Sequence, residues 1–250
     1  MYRKKSIIIM LLGLSSLYGK TLQGEISLGI FNHTPSGNAS YTLPGEIMNA
    51  AVDLENTFGW EQESDVMFKA YLEHPLPFLP HMKIGYTNLS HAGQNNTTDF
   101  FWGNIISFDG AVTSNLDLKL YDITPYYEIL DNGIEADLGV TLRYINGDIA
   151  VNTLFQNETT DFESLVPMLY GKTKITVPRT AISVQCEANA ISTDETTFYD
   201  YEISARYSFG SGLSLEGGYK AFHLDSDELA DGLKTNIDFK GPYTMLAWSF

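Results

Sequence analysis

Tyr199-Asp200-Tyr201-Glu202-Ile203-Ser204-Ala205-Arg206-Tyr207-Ser208-Phe209 alternates apolar and polar side chains at every step. A period of two sustained over this length is the signature of a β-strand with one apolar face and one polar face. The rhythm recurs on either side. Gly133 to Tyr144 sets Ile134, Leu138, Val140 and Leu142 against Glu135, Asp137 and Arg143. Ala181 to Ala190 sets Ile182 and Val184 against Gln185 and Glu187. Leu213 to Ala221, Val66 to Glu73, Met82 to Thr87 and Leu116 to Tyr121 behave alike, and Leu22 to Phe31, Val166 to Val177 and Asp238 to Phe250 follow the pattern more loosely. The reading is an all-β chain of ten strands, with eight and twelve as alternatives.

The links between these strands alternate in length. Long ones cover 32–64, 91–113, 147–164, 191–197 and 225–234; short ones cover 75–81, 130–132, 177–179 and 210–212. Asp131-Asn132-Gly133 and Gly210-Ser211-Gly212 carry turn residues that tolerate positive φ. Alternating tight turns and long loops predicts a single antiparallel up-and-down transmembrane β-barrel, with both termini on the periplasmic side of a bacterial outer membrane. Ten residues rising ~3.3 Å each at a tilt of ~40° climb roughly 25 Å, the height of the lipid-facing band.

The N-terminus supports export. Arg3-Lys4-Lys5 precedes an apolar core from Ile7 to Leu14, and Leu17-Tyr18-Gly19 ends on a small residue. That layout predicts a signal peptide over 1–19 and a barrel domain over 20–250. Beyond it no apolar run reaches the ~20 residues of a spanning helix. A net charge of −16 argues against nucleic-acid binding, which needs a basic face. The lone Cys186 makes no intramolecular disulfide. No cofactor or metal site is expected from the motifs.

Charge parity tests the barrel. With the apolar face of each strand turned to lipid, Lys69, Lys83, Lys119, Glu135, Asp137, Arg143, Glu187, Glu202, Arg206, Glu216 and Lys220 fall on the opposite, lumen-facing side. Lys172, Lys174, Glu25, Glu73, Asp117 and Asp200 join them, while Asp122 and Lys240 break the rule. A midplane Lys or Arg facing lipid costs ~2–4 kcal/mol, so parity is a physical requirement there. Nearly balanced signs predict a lumen filled by ion pairs, giving a structural barrel or a narrow pore for small solutes. Arg206, Lys220 and Lys69 are expected to pair with carboxylates such as Glu202, Glu216 and Glu187.

The chain ends Leu246-Ala247-Trp248-Ser249-Phe250, with three large apolar groups on one face. This resembles the C-terminal strand that barrel-assembly machinery reads, so that machinery and outer-membrane lipid are the expected partners. Tyr207, Phe209, Trp248 and Phe250 are expected in the inner aromatic belt, Tyr199 and Tyr201 in the outer one. Glu73-His74-Pro75-Leu76-Pro77-Phe78-Leu79-Pro80, followed by Lys83-Ile84-Gly85-Tyr86-Thr87, resembles the signature of a family of Gram-negative outer-membrane β-barrel proteins of unassigned activity. The family's turn residues map to Glu73, His74, Pro75, Pro77 and Pro80, and the resemblance implies a stiff link between strands two and three. Prolines there fix φ and remove backbone donors, and His74 is expected to bond locally.

The enzymatic alternative is an omptin-like surface hydrolase, for which His223-Leu224-Asp225-Ser226-Asp227 offers a histidine beside carboxylates. No matching acidic pair is identifiable across the rim, and the expected reading is non-catalytic. His33, His81 and His91 are isolated in sequence and lack metal-ligand spacing. The acidic stretch Asp225 to Asp231 lacks the glycine and terminal glutamate of a calcium loop. Phe100-Phe101-Trp102 is expected to fold into the barrel mouth or dock at the membrane interface.

Overall fold

In the computed structural model, which describes residues 22–46, 48–76 and 78–250, every long strand pairs antiparallel with its neighbour in sequence. The strands are β1 (Gln23–Tyr41), β2 (Val52–Asp53), β3 (Glu63–Glu73), β4 (His81–Trp102), β5 (Ile105–Asp131), β6 (Ile134–Asn152), β7 (Asn157–Thr176), β8 (Ile182–Ser192), β9 (Thr196–Gly210), β10 (Leu213–Ala230) and β11 (Leu233–Ser249). The two-residue β2 lies within the 42–62 link and pairs only with β1. The other ten form a ring, closed where β11 returns to β1 from Glu25↔Ser249 to Tyr41↔Leu233. Closure leaves no free edge, as backbone polar groups in hydrocarbon require. No helix occurs among the described residues. The expected 1–19 signal segment and Pro77 lie outside them.

Tight turns follow local chemistry at the end carrying the termini. Gly133 sits at φ 93°, and Gly210, Ser211 and Gly212 at 79°, 53° and 81°. The far end departs from the expected long loops. β4 and β5 meet across Gly103-Asn104, β6 and β7 across 153–156, and β10 and β11 across Asp231-Gly232. β5 is 27 residues long, although ~10 suffice to cross the bilayer. The supposed loops are therefore mostly strand, and the cylinder extends well past the membrane. Only the link over 42–62 remains long, and it folds inward.

This extension reverses strand polarity without changing parity. In β6 the odd residues face the lumen throughout. Near the termini they read Glu135, Asp137, Arg143, and beyond that Ile145, Ile149 and Val151, all three buried. Outward residues change in the opposite sense, from Leu138, Val140 and Leu142 to Asn146, Asp148 and Asn152. The terminal half is a membrane barrel, apolar outside and polar inside. The distal half is built like a soluble barrel, with the apolar face inside.

That inversion corrects one strand register. Leu116, Leu118 and Leu120 are buried inside the barrel rather than turned to lipid. Lys119, assigned to the lumen from sequence, points outward, with its side chain 37% exposed and paired to Asp117, which also faces out. Asp122, the apparent misfit, faces inward and is buried. Lys240 is exposed beside Asp238 on the outer surface, beyond the lipid-facing rows of β11.

Candidate functional site: the lumen

Three tiers fill the lumen. At the terminal end lies a vestibule of about 1040 Å³, whose lining includes Glu25, Glu73, Lys172, Lys174 and Arg206. The Glu73–Pro80 turn forms part of its rim. There His74 Nε2 meets the Pro80 carbonyl at 3.0 Å, and the His74 amide donates to His81 Nδ1 at 3.2 Å. The His74 bonding is thus local. Glu73 accepts the Tyr126 hydroxyl at 3.0 Å. Lys174 binds Glu135 at 2.9 Å, and Lys172 lies 3.5 Å from Asp137.

The middle tier is a lattice of charges. Arg143 on β6 donates to Asp122 on β5 and to Asp200 on β9. Lys220 on β10 lies 3.6 Å from Asp200 and 2.6 Å from Glu202. Lys69 on β3 binds Glu202 and lies 3.8 Å from Glu187, which also binds Lys83 on β4. Below this chain, Arg206 bridges Glu25 at 2.6 Å and Glu216 at 2.7 Å. Glu216 also accepts Gln185, Ser204 and the Tyr243 hydroxyl. Strands on opposite walls are thereby joined across the lumen. A cavity of about 10 Å³ lies among Lys69, Lys83, Arg143, Glu187 and Lys220, room for about one water. Of the lumen charges expected from sequence, all but Lys119 and Asp117 face inward.

The distal tier is apolar. Phe31, Leu116, Leu118, Ile145, Phe198, Phe222 and Phe239 from the wall pack with Leu54, Phe58 and Trp60 from the inward link. Phe100 and Trp102 are buried there too. The Trp60 indole donates to Ser114 at 2.8 Å. Fully burying each large apolar group contributes ~1.5–3 kcal/mol, which holds this cap shut.

Sequence reasoning missed one cluster at the base of the cap. His33 and His91 are 58 residues apart in sequence, yet their rings meet, Nδ1 to Nε2 at 3.0 Å. His33 Nε2 lies 3.1 Å from Asp65, and His91 Nδ1 lies 3.0 Å from the Glu61 carbonyl. The one available signal was position: His33 follows Phe31 by two and His91 follows Leu89 by two, so each continues an inward-facing row. The cluster lies beyond the lipid-facing rows that end at Ile30 and Tyr86. Burial, with His33 alongside, pushes the His91 imidazole down to about 4. Burial also lowers His33, against the pull of Asp65.

His223 does not face a cleft. It lies on the outer wall, stacked on Tyr199 and 3.1 Å from Asp238. Among the described residues no group of three or more His, Cys, Asp or Glu is arranged to hold a metal. At the terminal end Leu246, Trp248 and Phe250 are exposed on the outer face, with Tyr207 and Phe209 nearby on β9. Tyr86, Tyr121 and Tyr144 form a contacting row at the other edge of the apolar band.

The closed ring, the outward apolar band and the polar middle define the class: an up-and-down transmembrane β-barrel of the outer-membrane type. Solved structures of similar architecture include the translocator domain of autotransporter NalP from Neisseria meningitidis, at 10% identity and TM-score 0.48, covering 98% of this chain and 95% of that one. The outer membrane protease OmpT from Escherichia coli matches at 9% identity and TM-score 0.45, over 92% and 96%. Ail, the attachment invasion locus protein of Yersinia pestis, matches at 10% identity and TM-score 0.40, over 92% and 99%. At such values the strand count and lumen contents rest on this chain's own ladder. No protein-family model and no curated protein matches the chain.

Proposed function

We propose that the chain is a closed structural barrel of the bacterial outer membrane, exported by its 1–19 segment, with both termini periplasmic and the long strand ends standing outside the cell. The observation that carries this reading is closure of the lumen at two levels, by the charge lattice and by the apolar cap. Among the described residues the charge lattice encloses a cavity of only about 10 Å³ and the cap packs the distal end with buried apolar groups, which favours the structural reading over the narrow pore. The reading is also non-catalytic: His223 lies on the outer wall, and His33 and His91 are buried beneath the cap. The proline turn's family resemblance, to envelope barrels of unassigned activity, agrees with it. The exposed outer cylinder is acidic. Asp117, Asp148 and Asp161 are direct neighbours across β5, β6 and β7, and partial burial together with the other two carboxylates raises Asp148 above its ordinary range. Planar-bilayer recording of the refolded mature protein tests the proposal. Silent membranes with demonstrably inserted barrel are expected; stepwise conductance from the unaltered protein overturns it.

A further inference from the structure

Two rows of charge at the terminal end are incomplete. On the β5–β6 ladder Glu128 stands opposite Asp137, and Asp131 opposite Glu135. Like charges directly opposite each other destabilise a sheet. β7 answers on one side only: Lys172 is the ladder partner of Asp137 and Lys174 of Glu135, at 3.5 and 2.9 Å. Each row therefore reads acid, acid, base from β5 to β7. The place on the far side of β5 holds no strand, because β4 begins at His81, opposite Tyr126. That place opens on the vestibule of about 1040 Å³, whose lining includes Glu128, Asp131 and Glu135.

A bulge builds the second row. Glu128 pairs with Asp137 but Leu130 pairs with Ala136, so β5 carries one extra residue, Ile129, at this point. Strict alternation would turn Asp131 outward with Tyr127 and Ile129. The extra residue re-aims it into the vestibule beside Glu128, as bulges do next to active sites. The lining carries five carboxylates against three cations, and each cation is already engaged: Lys172 with Asp137, Lys174 with Glu135, Arg206 with Glu25 and Glu216. His74 adds an acceptor to the same lining. Its Nε2 meets the Pro80 carbonyl, so in the neutral ring that nitrogen holds the hydrogen. Nδ1 is then a bare lone pair that no group among the described residues meets. Leu76, Leu79 and Phe250 give the cavity an apolar rim.

We infer that the vestibule binds a pair of alkylammonium groups, one completing each row as base, acid, acid, base. Glu135 and Asp137 are two residues apart on one strand, so the rows lie about 7 Å apart. A diamine with a four-carbon spacer spans that distance when extended, and its methylenes suit the apolar rim. Lysines at alternate positions of an extended chain have the same spacing. The shared chemistry is that of a polyamine or of a basic extended segment. A divalent metal fits less well, because the carboxylates stand in two separate rows and among the described residues no group of acids is arranged to hold an ion. That this mouth opens to the periplasm rests on the orientation proposed above; the binding itself does not.

Isothermal titration of the refolded mature barrel in non-ionic micelles tests this with 1,4-diaminobutane, spermidine and a capped Lys-Ala-Lys peptide. All three should bind, and butylamine, with a single ammonium, should bind roughly fivefold more weakly than the diamine. Tighter binding of spermidine than of the peptide assigns a free polyamine, and the reverse order a partner's basic segment. No binding by any of the three overturns the inference, as does equal binding of butylamine and the diamine, or full displacement of the diamine by Mg²⁺ at equal concentration. Glu128→Gln and Asp131→Asn should each weaken diamine binding roughly fivefold. The urea midpoint of the empty barrel should stay level or rise in both, because a like-charge pair is relieved; a merely structural role for these acids would lower it. Asp161→Asn, on the outer wall, should leave binding unchanged. Equal weakening by that variant would reduce the effect to the chain's overall negative charge and overturn the site.

Discussion

Asp122 and Arg143 are direct partners across the β5–β6 ladder and meet inside the barrel through two hydrogen bonds of 2.7 and 2.6 Å. The guanidinium also reaches Asp200 at 2.6 Å. One side chain thus neutralises carboxylates from strands on two sides of the lumen. Replacing Arg143 with Leu strips Asp122 of its guanidinium and leaves Asp200 with only Lys220, 3.6 Å away, as a cation. Removing one partner of a buried pair typically costs about 3–5 kcal/mol, so Arg143→Leu should lower the urea midpoint strongly or prevent folding. Arg143→Lys should recover only part, because an ammonium cannot reproduce the two-pronged geometry. Heat-modifiable mobility on gels together with urea titration reads both.

Lys119 and Lys220 offer a matched contrast. Lys119 is exposed and paired with Asp117 on the outer surface, while Lys220 is buried between Asp200 and Glu202. Exposed pairs contribute about 0–1 kcal/mol. Lys119→Gln should leave the urea midpoint nearly unchanged, whereas Lys220→Gln should lower it clearly. Equal losses at the two positions would mean that the inversion of β5 has been misplaced.

The acid limb of the stability profile should carry the signature of His91. Folded, this ring takes its second proton only at about 4, while in the unfolded chain it does so near 6.5. Between those values the unfolded state binds more protons, so stability falls as pH falls. The slope approaches about 1.4 kcal/mol per pH unit for a single group. His91→Gln should reduce that slope over the same window. A variant with an unchanged acid limb would assign the loss to other groups.

The membrane half was legible because lipid enforces one rule at every strand. Lys69, Arg143, Glu187, Glu202, Arg206, Glu216 and Lys220 all follow from the alternation alone, since apolar neighbours mark the outside unambiguously. The same rule misled at Leu116 to Tyr121. There the strand has already left the membrane at one end, and alternation fixes which residues share a face without saying whether that face meets lipid or core. Asp122, the residue out of step on this strand, was the visible sign of the crossover. The supposed loop over 91–113 was misread for a related reason. Asn95-Asn96-Thr97-Thr98 looks like loop composition, yet these residues are strand in the wall of the water-exposed cylinder. The His33–His91 contact was hidden because register between β1 and β4 passes through β3 and is not encoded locally.

Barrel closure rests on the seam between the first and last strands. Gly24 and Phe250 exchange backbone hydrogen bonds of 2.9 and 2.8 Å, and Ile26 pairs with Trp248 one step further in. The Phe250 ring lies over Gly24, where an added Cβ would come within 2.5 Å of the ring's far edge. Deleting Phe250 removes both backbone bonds and the terminal apolar group, so assembled barrel in membranes should fall several-fold. Phe250→Tyr should assemble nearly normally, because ring and backbone are kept. Gly24→Ala should be mild, since the ring edge can swing aside. Gly29→Ala on the same seam should be severe, because its Cβ would lie 2.2 Å from the Thr244 carbonyl oxygen, which belongs to the ladder itself. Quantifying heat-modifiable protein in the membrane fraction for the four variants ranks them. Full assembly without Phe250 would show that the last residue neither closes the seam nor serves as an assembly signal.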